Sequence, residues 1–329
     1  MNLNKSEFNN RAVNRLTALW ALNESGLGGI LHAAKFPFTG ILVGGFAVIL
    51  ITLIARYSNF SFKAILKSTV MVLMIKAAVS PHSPFPAYLA VSFQGLLGAI
   101  MFSLTRHFKL TPIVFGGIAL LESAIQKILL TVLFFGLSFW KSVDDFVLNT
   151  IKLFQLPADF SFSEWIAMSY VVFYLVIGLI LGRFASKIPD LISSLDFSEL
   201  KLSDTKDSAN QNRKNKSLII IAVLSIALSL QLISFFGGLP FIQLLARVVF
   251  FMLLFYYVVG PLTTKLIIFL SRNRSEEISK LNEDVAQLRL GVKPVINYVN
   301  KNYHGINRFK MFVLYMIAIS LYDIRTENE

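Results

Sequence analysis

FTGILVGGFAVILITLIA, Phe38 to Ala55, runs for eighteen residues without a charge, and its only polar side chains are two threonines. At a rise of about 1.5 Å per residue it makes a helix of roughly 27 Å, close to the thickness of a bilayer's hydrocarbon core. Such a helix has no polar face to turn toward water, so the stretch reads as a membrane span. Ala87 to Thr105, Trp165 to Gly182 and Ser217 to Phe236 are uncharged over similar lengths and read the same way.

Working outward, three further runs are apolar but charged: Ala64 to Val79 with Lys67 and Lys76, Pro112 to Phe139 with Glu122 and Lys127, and Phe241 to Leu270 with Arg247 and Lys265. An ionised group at membrane depth costs about 2.5–3.5 kcal/mol even on lenient insertion scales, so each needs a partner, water or a ligand. Ahead of them, Arg11 to Leu31 holds Asn23, Glu24 and a Gly26–Gly29 break. It is either a short irregular first span or a helix lying in the interface.

Composition agrees with the membrane class. The 329 residues are 55% hydrophobic and 15% charged, against roughly 45–50% and about 25% in soluble domains. Lysine and arginine set the orientation, because cytoplasmic loops near spans collect them. If Arg11 to Leu31 crosses outward, twenty-four of the 31 basic residues fall in cytoplasmic segments. Lys35, Lys141 and Lys152 then lie in outer loops, and Lys76, Lys127, Arg247 and Lys265 within spans. This favours eight spans with both termini cytoplasmic, in the inner (plasma) membrane. The net charge of +12 follows from the same bias and calls for no nucleic acid. The start, MNLNKSEFNNRAVNR, is polar, so no removable leader is expected and the first segment acts as its own insertion signal.

The expected fold is thus an all-α integral membrane protein: a six-span helical bundle over residues 1–187, a polar cytoplasmic linker over 188–216, a two-span hairpin over 217–270, and a cytoplasmic amphipathic helix with an interfacial tail over 271–329. The hairpin turns on Gly237 to Pro240. In the last module Ile278, Leu281, Val285, Leu288, Val292, Val295 and Val299 recur at steps of three and four, a heptad stripe. Such a seam must lie on another chain, on the membrane or on its own bundle. Ile278, Leu281, Val285, Leu288 and Val292 are the candidate partner-binding residues. Gly291 and Pro294 are expected to kink or break this helix. The 14-residue patch Phe309 to Tyr322 is too short to span and reads as interfacial.

Enzyme chemistry finds no support. There is no cysteine, no HExxH, GxSxG or GxxxxGK motif, and the four histidines have no ligand-like spacing, so no metal or cofactor is expected. The acid pairs Asp144/Asp145 and Glu276/Glu277 fall in aqueous segments.

The polar groups of interest gather at KAAVSPHSPFPAYLAVSFQG, Lys76 to Gly95, where three prolines end one helix and launch the next. Lys76 nears the outer end of its span, and LESAIQKIL carries Glu122, Gln126 and Lys127. One expectation is a single polar cluster of Lys76, Glu122 and Lys127, with His82 and His32 above it. Its surplus positive charge would attract a carboxylate or phosphate. A purely structural Lys76–Glu122 pair and lysines snorkelling to the interface are the alternatives.

With GLGGILHAAKFPFTGILVGG after the first span and AYLAVSFQGLLGAIMF after the proline turn, the stretch from about Arg11 to Lys187 resembles the substrate-binding S components of energy-coupling-factor vitamin transporters. The resemblance implies capture of a small molecule at the outer side and dependence on a coupling subunit and two ATPases. It also implies lid roles for His32 and Lys35 and pocket roles for Lys76, His82, Gln94, Glu122, Gln126 and Lys127. One departure is that Ala12, Ala18 and Ala21 are never four apart, where the family's first span often has small residues at that spacing to dock the coupling subunit. The leading expectation is a membrane subunit that captures a small anionic organic solute. The alternative is a non-transporting membrane scaffold that recruits a partner through the heptad helix.

Overall fold

A computed structural model describes residues 5–33, 38–80, 83–153, 161–195, 249–250, 253–259, 261–262 and 275–321. These are helices and connecting turns, with no strand among the described residues. The linker beyond residue 195 and most of the expected hairpin at 217–270 lie outside them. The helices are α1 (Lys5–Leu22), α2 (Gly28–Ala33), α3 (Gly45–Tyr57), α4 (Phe62–Val79), α5 (Phe85–Thr105), α6 (Thr111–Phe135), α7 (Leu137–Leu153), α8 (Phe162–Ile192), α9 (Ser275–Asn302) and α10 (Ile306–Leu321). A π-helical turn, Asn23–Leu27, joins α1 to α2, and a second, Gly40–Gly44, leads into α3.

Among the described residues, four stretches are long and apolar enough to cross a membrane: Gly40–Tyr57, Phe85–Thr105, Thr111–Phe135 and Phe162–Ile192. The chain is a multi-pass membrane protein. The run that opens on Phe38 is the most interior of the four, because α3 is apolar on every side and Val48 to Ala55 are all buried. α1, α4, α5, α6 and α8 all pack on it. A helix apolar all round must be enclosed by other helices or by lipid, and here helices enclose it.

Lipid meets the outer ring. On α5, Leu89, Phe93, Leu96, Ile100 and Leu104 are exposed at steps of three and four, a continuous apolar stripe. α6 adds Val114, Ile125, Leu129 and Leu133, and α8 adds Trp165, Met168, Val172, Val176 and Ile180. An apolar surface of this extent would be untenable in water. α1 is packed within the bundle, with Leu16 and Trp20 fully buried. α4 packs between α1 and α5, and its basic end carries an exposed Lys67–Glu277 contact of 2.8 Å to α9.

α6 and α8 make the closest approach. A Cβ on Gly182 would run into the carbonyl of Pro112 and stand 2.7 Å from Ile113 Cα, and one on Gly116 would meet the Gly178 carbonyl. Small residues let membrane helices gain dispersion contacts and backbone proximity that no apolar side chain can supply against lipid.

Three expectations are corrected. The span expected at Pro112 to Phe139 is present but ends four residues early: α6 stops at Phe135, Gly136 takes φ +75°, and the supposed outer loop contains most of α7. Hydropathy passes over α7 because its lysines and aspartates interrupt every apolar window, although its helical period is intact. The heptad helix α9 is unbroken through Gly291 and Pro294. Its seam is not offered to a partner chain: Leu281, Leu288, Val295 and Val299 are buried, with Ile278, Val285 and Val292 packed against the same core, and the helix lies on α1 and α10. That packing on both sides of Pro294 holds the helix across the missing amide. Finally, α10 is not interfacial, since Val313 to Leu321 are buried throughout. Tyr315 stacks edge-on against Tyr298 of α9 at 5.1 Å, and Gly305 at φ +57° turns one helix into the other.

Asp144 ties α7 to the start of α8. Its Oδ1 accepts from the Ser163 amide at 2.6 Å, and its Oδ2 accepts from the Ser163 and Ser161 hydroxyls at 2.6 and 3.2 Å. This is a helix N-cap supplied by a distant residue, filling an orphan amide at the positive end of the helix dipole. The Ser163 hydroxyl, then the Ser163 amide, hold the Asp144 carboxyl below its usual range. A depressed folded value means the contact is intact above the unfolded value of about 3.9 and weakens as pH falls through the folded one. A spin label at Asn149→Cys should therefore stay immobile down to about pH 4 and loosen only below it. Loosening between pH 5 and 7 would contradict the cap.

Candidate functional site

The polar groups gather at the end of the bundle away from the basic loops, around the two π-helical turns. Glu24 sits in the first turn, and its Oε2 accepts from Lys76 Nζ at 2.7 Å. Both side chains are interior, at 4% and 1% exposure. Lys76 Nζ also approaches the Ala87 carbonyl at 3.5 Å and lies 5.7 Å from the Tyr88 ring centroid. The partner of Lys76 is thus Glu24 and not Glu122. The expected cluster of Lys76, Glu122 and Lys127 does not form, since Lys76 is paired with Glu24 and Lys127 is exposed. Two opposite charges at contact leave no surplus positive charge for an anionic ligand.

The ion pair fastens the first segment to α4, and the neighbouring Asn23 fastens it to α3: Asn23 Nδ2 donates to the Val43 carbonyl, inside the second π-helical turn, at 3.0 Å. Ser25 donates to Ala21 O at 2.6 Å. Two atoms beside these contacts, Trp20 Nε1 and Asn23 Oδ1, are buried without a hydrogen-bond partner. π-helical turns widen the backbone and recur at functional sites; here two of them touch.

On the other side of the second turn, Gly40 and Gly44 bring bare backbone against side chains from three helices. A Cβ on Gly44 would stand 3.0 Å from Gln94 Nε2 and 3.7 Å from Ser123 Oγ, and one on Gly40 would stand 3.5 Å from Ser123 Cβ and 3.6 Å from the Tyr174 hydroxyl. Gln94 is 2% exposed. Tyr170 donates to Tyr174 at 2.8 Å. Next to Ser123, Glu122 is half-buried, and its Oε2 is enclosed without a hydrogen-bond partner. One turn on, Gln126 Nε2 donates to the Pro86 carbonyl at 2.9 Å, which fixes α6 against the proline turn.

Of the residues singled out from sequence, Lys76, Gln94, Glu122 and Gln126 lie in this region, and Lys127 is exposed. His32 lies on α2, whereas Lys35 and His82 fall outside the described residues. Glu24 and Tyr174 were not expected. Glu24 had a legible signal: it is the lone acid of the first segment, and a buried lysine on a neighbouring span needs one. Tyr174 had none, being one aromatic among many on an apolar helix. No group of three or more His, Asp or Glu able to hold a metal occurs among the described residues. No family model, curated protein or solved structure matches the chain.

Proposed function

We propose that this multi-pass protein is a membrane subunit that captures a small organic solute in the non-basic half of its bundle, with Glu122 as the group that receives it. The observation that carries this reading is the enclosed, unpaired Oε2 of Glu122. A buried acceptor left unmade costs about 1–3 kcal/mol, more if charged, and a solute that supplies a donor offsets that cost. The next residue, Ser123, borders Gly40 and Gly44 together with Gln94 and Tyr174, which supply further polar groups at this end of the bundle. The solute class changes accordingly. With Lys76 neutralised by Glu24, the site favours a hydrogen-bond donor, an amine or a hydroxyl, over a carboxylate or phosphate. With no phosphate-binding motif of its own, the subunit relies on separate partners for energy. Its place is the inner (plasma) membrane, with the basic ends cytoplasmic. The packing of the heptad seam on α1 and α10 weighs against the scaffold alternative.

Mass spectrometry of small molecules retained by purified protein tests the reading. Wild type should carry an amine- or hydroxyl-bearing compound, and Glu122→Gln should retain at least tenfold less of it, about 1.4 kcal/mol, at an unchanged melting temperature. Equal retention by Glu122→Gln, or a wild type that carries nothing, removes the proposal.

A further inference from the structure

None of residues 137–152 in α7 is buried, and Leu137 and Phe146 are 74% and 73% exposed. At 100° per residue its side chains sort into two arcs. Phe139, Trp140, Val143, Phe146, Val147 and Ile151 share one, while Lys141, Ser142, Asp145, Asn149 and Lys152 share the other. The polar arc is exposed. Asp144, at the edge of the apolar arc, is taken up by the Ser161 and Ser163 contacts to α8.

We propose that α7 lies flat in the outer boundary between lipid headgroups and acyl chains, with its Phe139–Phe146 face in lipid and its Lys141–Lys152 face in water. Three observations fix the occupant as lipid. The first is level. α6, with 25 residues, is about 37 Å long and crosses the hydrocarbon core in full, and the chain leaves its axis at Gly136. The Asp144 cap then pins the middle of α7 to the first turn of α8, so α7 lies where one span ends and the next begins. The second is the company it keeps: α7 contacts α6 and α8, whose nearby ends expose Leu129, Leu133, Trp165, Ile166 and Met168. The third is composition. Phe135, Phe139 and Trp140 form a ring chain with centroids 5.3 and 5.6 Å apart, and Trp165 is exposed at the same end. Aromatic rings gather at membrane–water interfaces, and helices with an aromatic face opposite a lysine-bearing one bury about 5–10 Å into that boundary. The inference does not depend on the solute reading.

The chain has no cysteine, so single spin labels report without interference. In the full chain reconstituted into phosphatidylcholine vesicles, labels at Phe139→Cys and Phe146→Cys should relax faster with oxygen than with a water-soluble nickel chelate. Labels at Asp145→Cys and Asn149→Cys should show the reverse. Nickel access at all four positions would put α7 in water and overturn the proposal. Shielding of 139 and 146 from both reagents would show a protein covering that face and overturn it equally. Trp140 gives a label-free check in Trp20→Phe/Trp165→Phe: quenching by bromine on the upper acyl chain is expected, and quenching by aqueous iodide alone refutes the placement.

Discussion

Lys76→Met should destabilise the folded protein by about 3–5 kcal/mol, the range for removing one member of a buried ion pair. The loss arises from what remains: Glu24 stays enclosed at 4% exposure, an uncompensated charge in a low dielectric. Glu24→Gln in the same chain should recover most of the loss, because an amide in that position carries no charge. Thermal denaturation in detergent of the single variant, the double variant Lys76→Met/Glu24→Gln and the comparison Lys76→Met/Glu122→Gln decides the pairing. Rescue by Glu122→Gln and not by Glu24→Gln would contradict the observed contact, and so would a single variant as stable as wild type. Glu24 and Lys76 are 52 residues apart in the chain, so the same variant should also loosen the first segment from α4.

A comparable loss is expected from Gly182→Leu. The atoms a side chain would meet there are the Pro112 carbonyl and Ile113 Cα. Backbone cannot rotate aside as a side-chain terminus can, so α6 and α8 must separate along their tightest contact. About 3 kcal/mol or more is expected, at the upper end of the overpacking range. Gly291→Ala on α9 is the control. Its Cβ would meet only Ile319 Cγ2 at an ordinary 3.9 Å, and alanine gains about 0.8–1.0 kcal/mol of helix propensity over glycine. Neutral or raised stability is expected there. Equal behaviour of the two variants would show that the α6–α8 contact does not hold the bundle.

The membrane class and several span positions were legible without the structure, since a window of uncharged residues either matches the bilayer or does not, whatever it packs against. Gly40–Tyr57, Phe85–Thr105, Thr111–Phe135 and Phe162–Ile192 overlap the runs read from residues 38, 87, 112 and 165. The seven-residue stripe on α9 was equally legible, because a period of 3.5 can be counted. What the stripe faces could not be counted, and it faces α1 and α10. α10 was misread for a related reason. A 14-residue patch is too short to span a bilayer, but length says nothing about burial under other helices, and Ile317, Ala318 and Ser320 are fully enclosed.

The candidate site divides the same way. The residue types were visible, and so was the rule that a buried lysine needs an acid. Glu24 and Glu122 both satisfied that rule on paper. The π-helical turn at Asn23–Leu27 sets the direction of Glu24 toward Lys76, and no spacing announces such a turn. Alone, the sequence determined that this chain must bury several spans in lipid and which end of them is basic, because transfer of apolar area and the distribution of charge are properties of each segment by itself. Tertiary structure decided which acid neutralises Lys76, which acid is left without a partner, and that the heptad seam closes on its own bundle. Those outcomes depend on distances between segments far apart in the chain, and a charge in a low-dielectric interior is governed by the nearest few ångströms around it.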